Sequence, residues 1–346
     1  MKSLDEKLAR IIADPSGSKD FIIADAKDAD MAFGIAAPGP EFGECKHPYS
    51  ESVGCWKSLE DYRNQIRDVI RQGIIDIMLL SASNVEKLGI EEKLFENSPI
   101  TPAARANDTS DIWVIRGGSY PKSPSRSFRS ATIEHIKYGR LNCNHSDPVL
   151  GSDLGLYSVT FTNDLEWDHR SLQEFYDFRL EAEKKNFRYF MEVFNPNVDP
   201  GINPKKIYAF LNDHIIRCLA GVTNRGRPLF LKIPYHGPAA LEELVAYDPN
   251  LIVGILGGSA GTTYDAFKLI HDAQKHGARI ALFGRKINLS EHPLTFIEML
   301  RRIVEGEVTP EEAVKAYHGV LQRLKIKPFR SLNRDLVLSK NKLSYG

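Results

Sequence analysis

Apolar residues fall in short runs separated by longer amphipathic stretches, and from residue 187 onward the two alternate without a break. Residues 187–195 read as a strand, 204–222 as a helix and 229–233 as a strand; 239–246 read as a helix, 251–256 as a strand, 262–276 as a helix closed by Gly277, and 279–283 as a strand. Two closing helices follow over 292–305 and 309–324, the second announced by Thr309-Pro310-Glu311-Glu312, a cap residue with proline at the first helical position and acids in the first turn. The first half is noisier. Strands are expected at 21–25, 75–80, 100–105 and 156–161, and helices at 59–71 and 171–185. Eight strand–helix units predict an α/β fold of parallel strands, a closed (β/α)8 TIM barrel. An open doubly wound sheet would carry a glycine fingerprint at its first turn, and the first turn here has no GxGxxG.

Two stretches exceed ordinary loops. Residues 31–57 follow the first strand and 106–152 follow the third, so residues 1–346 are expected to form one barrel domain with two loop insertions. Within the second, 111–116 and 127–137 look like the arms of a β-hairpin. Loops on this side of a barrel shape the pocket or meet another subunit.

Composition narrows the partners. Lysine plus arginine equals aspartate plus glutamate at 45 each, which leaves no global field for nucleic acid or an anionic membrane surface. Any anion site is therefore local. Cys45, Cys55, Cys143 and Cys218 lack CxxC spacing and are too few for a disulfide scaffold, so a reducing cytoplasmic location is expected. The start, Met1-Lys2-Ser3-Leu4-Asp5, has no apolar leader, and no later run is long enough to span a membrane.

Candidate chemistry begins with Lys232, at the end of the apolar run Leu229-Phe230-Leu231. A lysine held in a partly desolvated pocket loses its proton more easily and can attack a carbonyl to form a Schiff base. Gly257-Gly258-Ser259 ends the seventh strand and Gly284-Arg285 the eighth. Bare amides there, at a helix N-terminus and beside a fixed cation, make the pair a candidate phosphate cradle. Proton carriers are sought at other strand ends: Asp25 on the first, Glu192 in the apolar fifth, and Tyr235 or His236 just after Lys232. Thr162 is a weak fourth-strand candidate, while Arg105, Asn107 and Asp108 can meet polar substrate groups. The histidines are scattered without HExxH or paired ligand spacing, so no metal and no cofactor are expected.

Leu231-Lys-Ile-Pro-Tyr-His-Gly237, the Gly257-Gly-Ser259 turn and Ala281-Leu-Phe-Gly-Arg-Lys-Ile287 together resemble the archaeal-type class I fructose-bisphosphate aldolases, within a superfamily that includes class I tagatose-bisphosphate and deoxyribose-phosphate aldolases. The match spans residues 187–310, with Asp25 as an outlier. The resemblance implies Lys232 as the Schiff-base lysine, Asp25 as the acid of the first strand, Gly257, Gly258, Ser259, Gly284 and Arg285 as the phosphate cradle, and Glu192 as a fifth-strand glutamate like that of the tagatose branch. It also implies a sugar phosphate as partner and a homo-oligomer. Where the family places a tyrosine or lysine on the fourth strand, this chain has Thr162, and the two insertions have no counterpart in the short archaeal enzymes.

The expected activity is a metal-independent class I aldolase on a phosphorylated ketose or related keto compound. A Schiff-base transferase on a phosphorylated diketone and a non-catalytic sugar-phosphate-binding barrel are the alternatives. The proton carrier stays open among Asp25, Glu192 and Tyr235.

Overall fold

The computed structural model describes residues 1–41, 55–144, 146–258 and 261–339. Eight parallel strands close a barrel in sequence order: β1 (Ile22–Lys27), β2 (Ile77–Leu80), β3 (Thr101–Arg105), β4 (Leu154–Thr160), β5 (Arg188–Phe194), β6 (Leu231–Ile233), β7 (Val253–Leu256) and β8 (Ile280–Phe283). Closure is made by β1 on β8, with Ile22 opposite Ile280 and Asp25 opposite Phe283. The major helices are α1 (Ser3–Ala13), α2 (Leu59–Gln72), α3 (Leu165–Lys184), α4 (Ile207–Ala220), α5 (Pro238–Tyr247), α6 (Thr263–Lys275), α7 (Pro293–Val304) and α8 (Pro310–Arg323). The expected TIM barrel is therefore the observed fold.

Alternation along the strands divides the apolar residues into two layers. Ile22, Ala24, Ile77, Leu79, Ala103, Leu154, Leu156, Phe190, Phe230, Ile280 and Leu282 fill the barrel interior. Their neighbours Ile23, Met78, Leu80, Ala104, Tyr157, Met191 and Leu231 face the surrounding helices. α1 precedes the first strand and buries Leu4, Leu8 and Ile11 in the interior cluster, plugging the N-terminal end of the barrel. Each such leucine contributes about 2 kcal/mol of burial. With that end plugged, polar chemistry is confined to the C-terminal mouth.

The insertions differ from their expected form. Asp108–Thr109 pairs antiparallel with Ser127–Phe128, a two-residue ladder in place of the 111–116 and 127–137 hairpin. Ile133–Tyr138 is helical. Thr132 Oγ1 accepts from the His135 amide at the N-cap, Gly139 takes φ +71° at the C-cap, and Ile133 and Ile136, three apart, are both buried. In the first insertion, Asp30–Phe33 forms a short helix and Pro40 bridges Trp56. Cys55 is disulfide-bonded, which the reading of too few cysteines for a disulfide scaffold did not anticipate, whereas Cys143 and Cys218 are free. Among the described residues no helix is long and apolar enough to cross a membrane.

Candidate active site

Strand phase decides which polar side chains enter the mouth. On β6, Phe230 belongs to the interior layer while Leu231 and Ile233 belong to the outer one, so Lys232 points inward. The same count on β5 turns Glu192 inward between outward Met191 and Val193. The two are register partners on adjacent strands, and Lys232 Nζ lies 2.5 Å from Glu192 Oε1. Both are buried, at 6% and 1% exposure.

The second oxygen of Glu192 is held separately. Ser158 Oγ, inward on β4, donates to Oε2 at 2.7 Å, and Arg105 Nη2, from the end of β3, lies 3.5 Å away. Arg105 Nε donates to Asp28 Oδ2 at 2.6 Å and its Nη1 to Ser158 Oγ at 3.1 Å. Burial works against the guanidinium charge, yet Asp28, Glu192 and Asp108 outweigh it and raise the Arg105 pKa. Asn107 bolts β3 to β4 by exchanging hydrogen bonds with the Ser158 backbone at 2.6 and 2.8 Å. Asp108 is pushed up to about 6, by burial first, against the pull of Arg105.

Lys232, Glu192, Arg105 and Asp28 line a cavity of about 600 Å³ together with Gly257, Gly258, Gly284 and Arg285 from β7 and β8. Gly258 takes φ +59°, which favours glycine. A Cβ on Gly257 would stand 2.2 Å from the Phe283 ring, and one on Gly284 2.7 Å from the Ala26 carbonyl oxygen. The Arg285 side chain is exposed at the mouth, 5.8 Å over the Phe33 ring, with no hydrogen bond or ion pair among the described residues. Ser259 lies outside the described residues. The N-terminus of α6, expected to bind the anion, is already occupied: the Thr262 amide donates to Asp265 and the Thr263 amide to Asp335 Oδ1 at 2.8 Å. Those carboxylates complement the helix dipole and repel a further anion. Lys286 Nζ donates to the Gly261 carbonyl at 2.9 Å, bracing the same turn, and burial lowers its pKa to about 8, helped by Arg330.

Two expected proton carriers lie outside this cavity. Asp25 follows inward Ala24 on β1 and faces the helices, with Lys27 Nζ 3.5 Å from its Oδ2 and Lys27 in turn donating to Asn288. The strand runs two residues past Asp25, so the inward carboxylate at its end is Asp28. Tyr235, in phase with Ile233, is buried in the outer core, and burial pushes its phenol up to about 12. Thr162 is also misplaced: its amide and hydroxyl donate to Asp168 in the first turn of α3, and the inward β4 residues are Ser158 and Thr160. His236 pairs with Asn195, 2.7 Å away. Ser158 was missed, although strict alternation from Leu154 and Leu156 points to it.

Burial, opposed by Lys27, pushes Asp25 up to about 6 from 3.8. Its protonated form is favoured in the folded state, so that contribution is complete below pH 3.8 and is lost as pH rises through 6. Asp25→Asn should gain stability relative to wild type from pH 3 to pH 7.5, by up to about 3 kcal/mol. Parallel stability–pH curves from urea unfolding would show that Asp25 does not titrate in that window.

No family model matches the chain. Over 89 residues it is 35% identical to 2-amino-3,7-dideoxy-D-threo-hept-6-ulosonate synthase 1 of Archaeoglobus fulgidus, a segment covering 26% of this chain and 33% of the relative. The chain thus matches about a third of that protein's length. Among solved structures it resembles an archaeal fructose 1,6-bisphosphate aldolase, at 16% identity and TM-score 0.59 over 88% of this chain and all of that one. A further structure, of an archaeal fructose-1,6-bisphosphate aldolase with its catalytic lysine covalently bound to the carbinolamine intermediate of the substrate, gives 17% identity and TM-score 0.59, covering 87% and 99%. At these identities the structural likeness establishes the barrel.

Proposed function

We propose that this protein is a class I aldolase that forms a Schiff base on Lys232 with a phosphorylated ketose or related keto compound. The observation that carries the reading is Lys232 Nζ, buried in the C-terminal mouth of the barrel 2.5 Å from a carboxylate. An ammonium is not a nucleophile, and Glu192 is in hydrogen-bond reach to take its proton. The free amine adds to the substrate carbonyl carbon. Return of the proton to the carbinolamine hydroxyl releases water and leaves an iminium. A base then removes the proton from the hydroxyl on the carbon that becomes the aldehyde; the carbon–carbon electron pair moves into the iminium to give an enamine. Protonation and hydrolysis release a ketone phosphate and regenerate the lysine. Of the three proton carriers expected from sequence, Glu192 alone shares the cavity with Lys232, and Asp28, just past the end of β1, is a second carboxylate in it. The backbone at Gly257–Gly258 and the open guanidinium of Arg285 suit the phosphate.

A second reading has a specific observation behind it. The A. fulgidus relative is named a synthase, which favours a Schiff-base reaction that passes a carbon fragment to a second substrate. Both readings share the covalent step. Incubation with dihydroxyacetone phosphate and borohydride should leave one reduced adduct, mapped to Lys232 by mass spectrometry. An unmodified protein would sink the mechanism, and aldehyde release from the keto phosphate separates cleavage from transfer.

A further inference from the structure

The chain continues past α8, and the residues that follow fold back onto the turn between β7 and α6. Leu332 and Leu336, four apart, pack against the outer core and fix the short helix Leu332–Asp335 to the barrel wall. Asp335 is thereby buried against the turn, at 2% exposure. Its Oδ1 accepts from the Thr263 amide at 2.8 Å, and its Oδ2 stands 2.9 Å from His318 Nε2 on α8. Two residues on, the Val337 carbonyl accepts from Thr262 Oγ1 at 3.0 Å, and the Ser339 amide donates to Asp265 Oδ1 at 2.9 Å. Capping of α6 does not demand this tail, because Thr262 and Asp265 already form a reciprocal capping box there.

The loop after β8 is tied to the same structure. Lys286, next in sequence to Arg285, donates to the Gly261 carbonyl at 2.9 Å, and Glu291 accepts from the Phe329 amide at 2.8 Å and the Tyr317 hydroxyl at 3.0 Å. The tail therefore grips both loops that carry the candidate phosphate anchor, while Asp335, Val337 and Ser339 stay outside the cavity lining. Such a grip has a physical purpose. Gly257 and Gly258 have no side chains to hold them, and Gly258 and Gly261 take φ +59° and +94°, so this is the most freely moving backbone of the mouth. Amides that bind an anion do so tightly only when they are fixed before it arrives. The order that the glycines lack is supplied from outside.

We propose that Asp335 is a positioning residue for the phosphate anchor: by linking the Thr263 amide to His318 on α8, it holds the β7–α6 turn in the conformation that receives the phosphate of the substrate. The proposal rests on the reading of the β7 and β8 loops as that anchor. It gives the segment after α8, which the chemistry of Lys232 does not use, a role in substrate binding. Asp335 itself touches no substrate and acts through the turn.

Calorimetry with glycerol 3-phosphate, which has no carbonyl, reads the anchor apart from the covalent step. Borohydride trapping of dihydroxyacetone, which has no phosphate, reads Lys232 apart from the anchor. Asp335→Ala should weaken glycerol 3-phosphate binding by at least about tenfold, the worth of one hydrogen bond to a charged group, while the dihydroxyacetone adduct forms at the wild-type rate. Asp335→Asn keeps an acceptor for the Thr263 amide and removes the charge, and should bind within about threefold of wild type. Wild-type or tighter binding in Asp335→Ala overturns the proposal, as does an asparagine variant as weak as the alanine one. An adduct rate that falls along with the affinity also overturns it, being the mark of a merely structural contact. If Asp335→Ala does not fold, amide exchange in the wild type decides: glycerol 3-phosphate should slow exchange across residues 331–339, and unchanged exchange there sinks the idea. If the wild type binds no glycerol 3-phosphate, the anchor and this proposal fall together, while the dihydroxyacetone adduct still reports on Lys232.

Discussion

Lys232→Met should lower turnover of the keto phosphate by about four orders of magnitude or more, the usual consequence of removing a covalent nucleophile, and should abolish the borohydride adduct. The fold should survive. Methionine has nearly the volume of the lysine stem, and Glu192 keeps Ser158 and Arg105 as partners when the ammonium is gone. The variant is thus expected to be inactive yet folded, with phosphate-probe affinity close to that of wild type. Near-normal turnover in this variant would move the nucleophile elsewhere. A protein whose only role is to bind sugar phosphates would pass through the substitution with its ligand affinity and its cellular effect intact.

Arg105→Met should be the most damaging single change to stability, at about 3–5 kcal/mol, because it removes one partner from a buried ion cluster and leaves the others charged. Arg105 touches Asp28, Ser158 and the Asn107 carbonyl, and stands 3.5 Å from Glu192. Without it two carboxylates face each other across the mouth, with Lys232 as the remaining cation of the cluster. Urea unfolding measures the loss directly. Pairing Arg105→Met with Asp28→Leu should recover part of it, since an apolar pair costs less than one orphaned charge. A loss below about 1 kcal/mol would mean that water enters and satisfies the carboxylates, so that the cluster is not a dry one.

The contrast between Lys232 and Asp25 shows what made this site legible. β6 holds one charged residue and β5 one beyond its opening Arg188, each set among apolar neighbours, so their phase is unambiguous, and Glu192 and Lys232 follow from counting. β1 ends in Asp25-Ala26-Lys27-Asp28, where three charged residues compete to be the strand terminus. Taking the strand to stop at 25 makes Asp25 the mouth residue; extending it by two leaves Asp25 on the helix side and hands the mouth to Asp28. Tyr235 fails for the same reason, being an odd number of residues from Lys232. Arg105 raised a different difficulty. Its residue type is visible in the sequence, but its partners Asp28 and Ser158 come from β1 and β4, and only barrel closure brings them together. The second insertion resisted because Ile133 and Ile136 fit a buried strand about as well as one face of a short helix, and the Thr132 and Gly139 caps that decide the matter are single residues.

The glycines at the mouth carry a consequence for tracing this chemistry among other barrels. Side chains at Gly257 and Gly284 would collide with the Phe283 ring and the Ala26 carbonyl, so both are demanded by the seam where the last strands meet the first. Selection on folding alone would retain them in descendants that had abandoned phosphorylated substrates altogether. Inheritance of the paired glycines therefore dates the architecture, whereas under the proposed function the substrate's charge is met by Arg285, a position free to drift when the ligand changes.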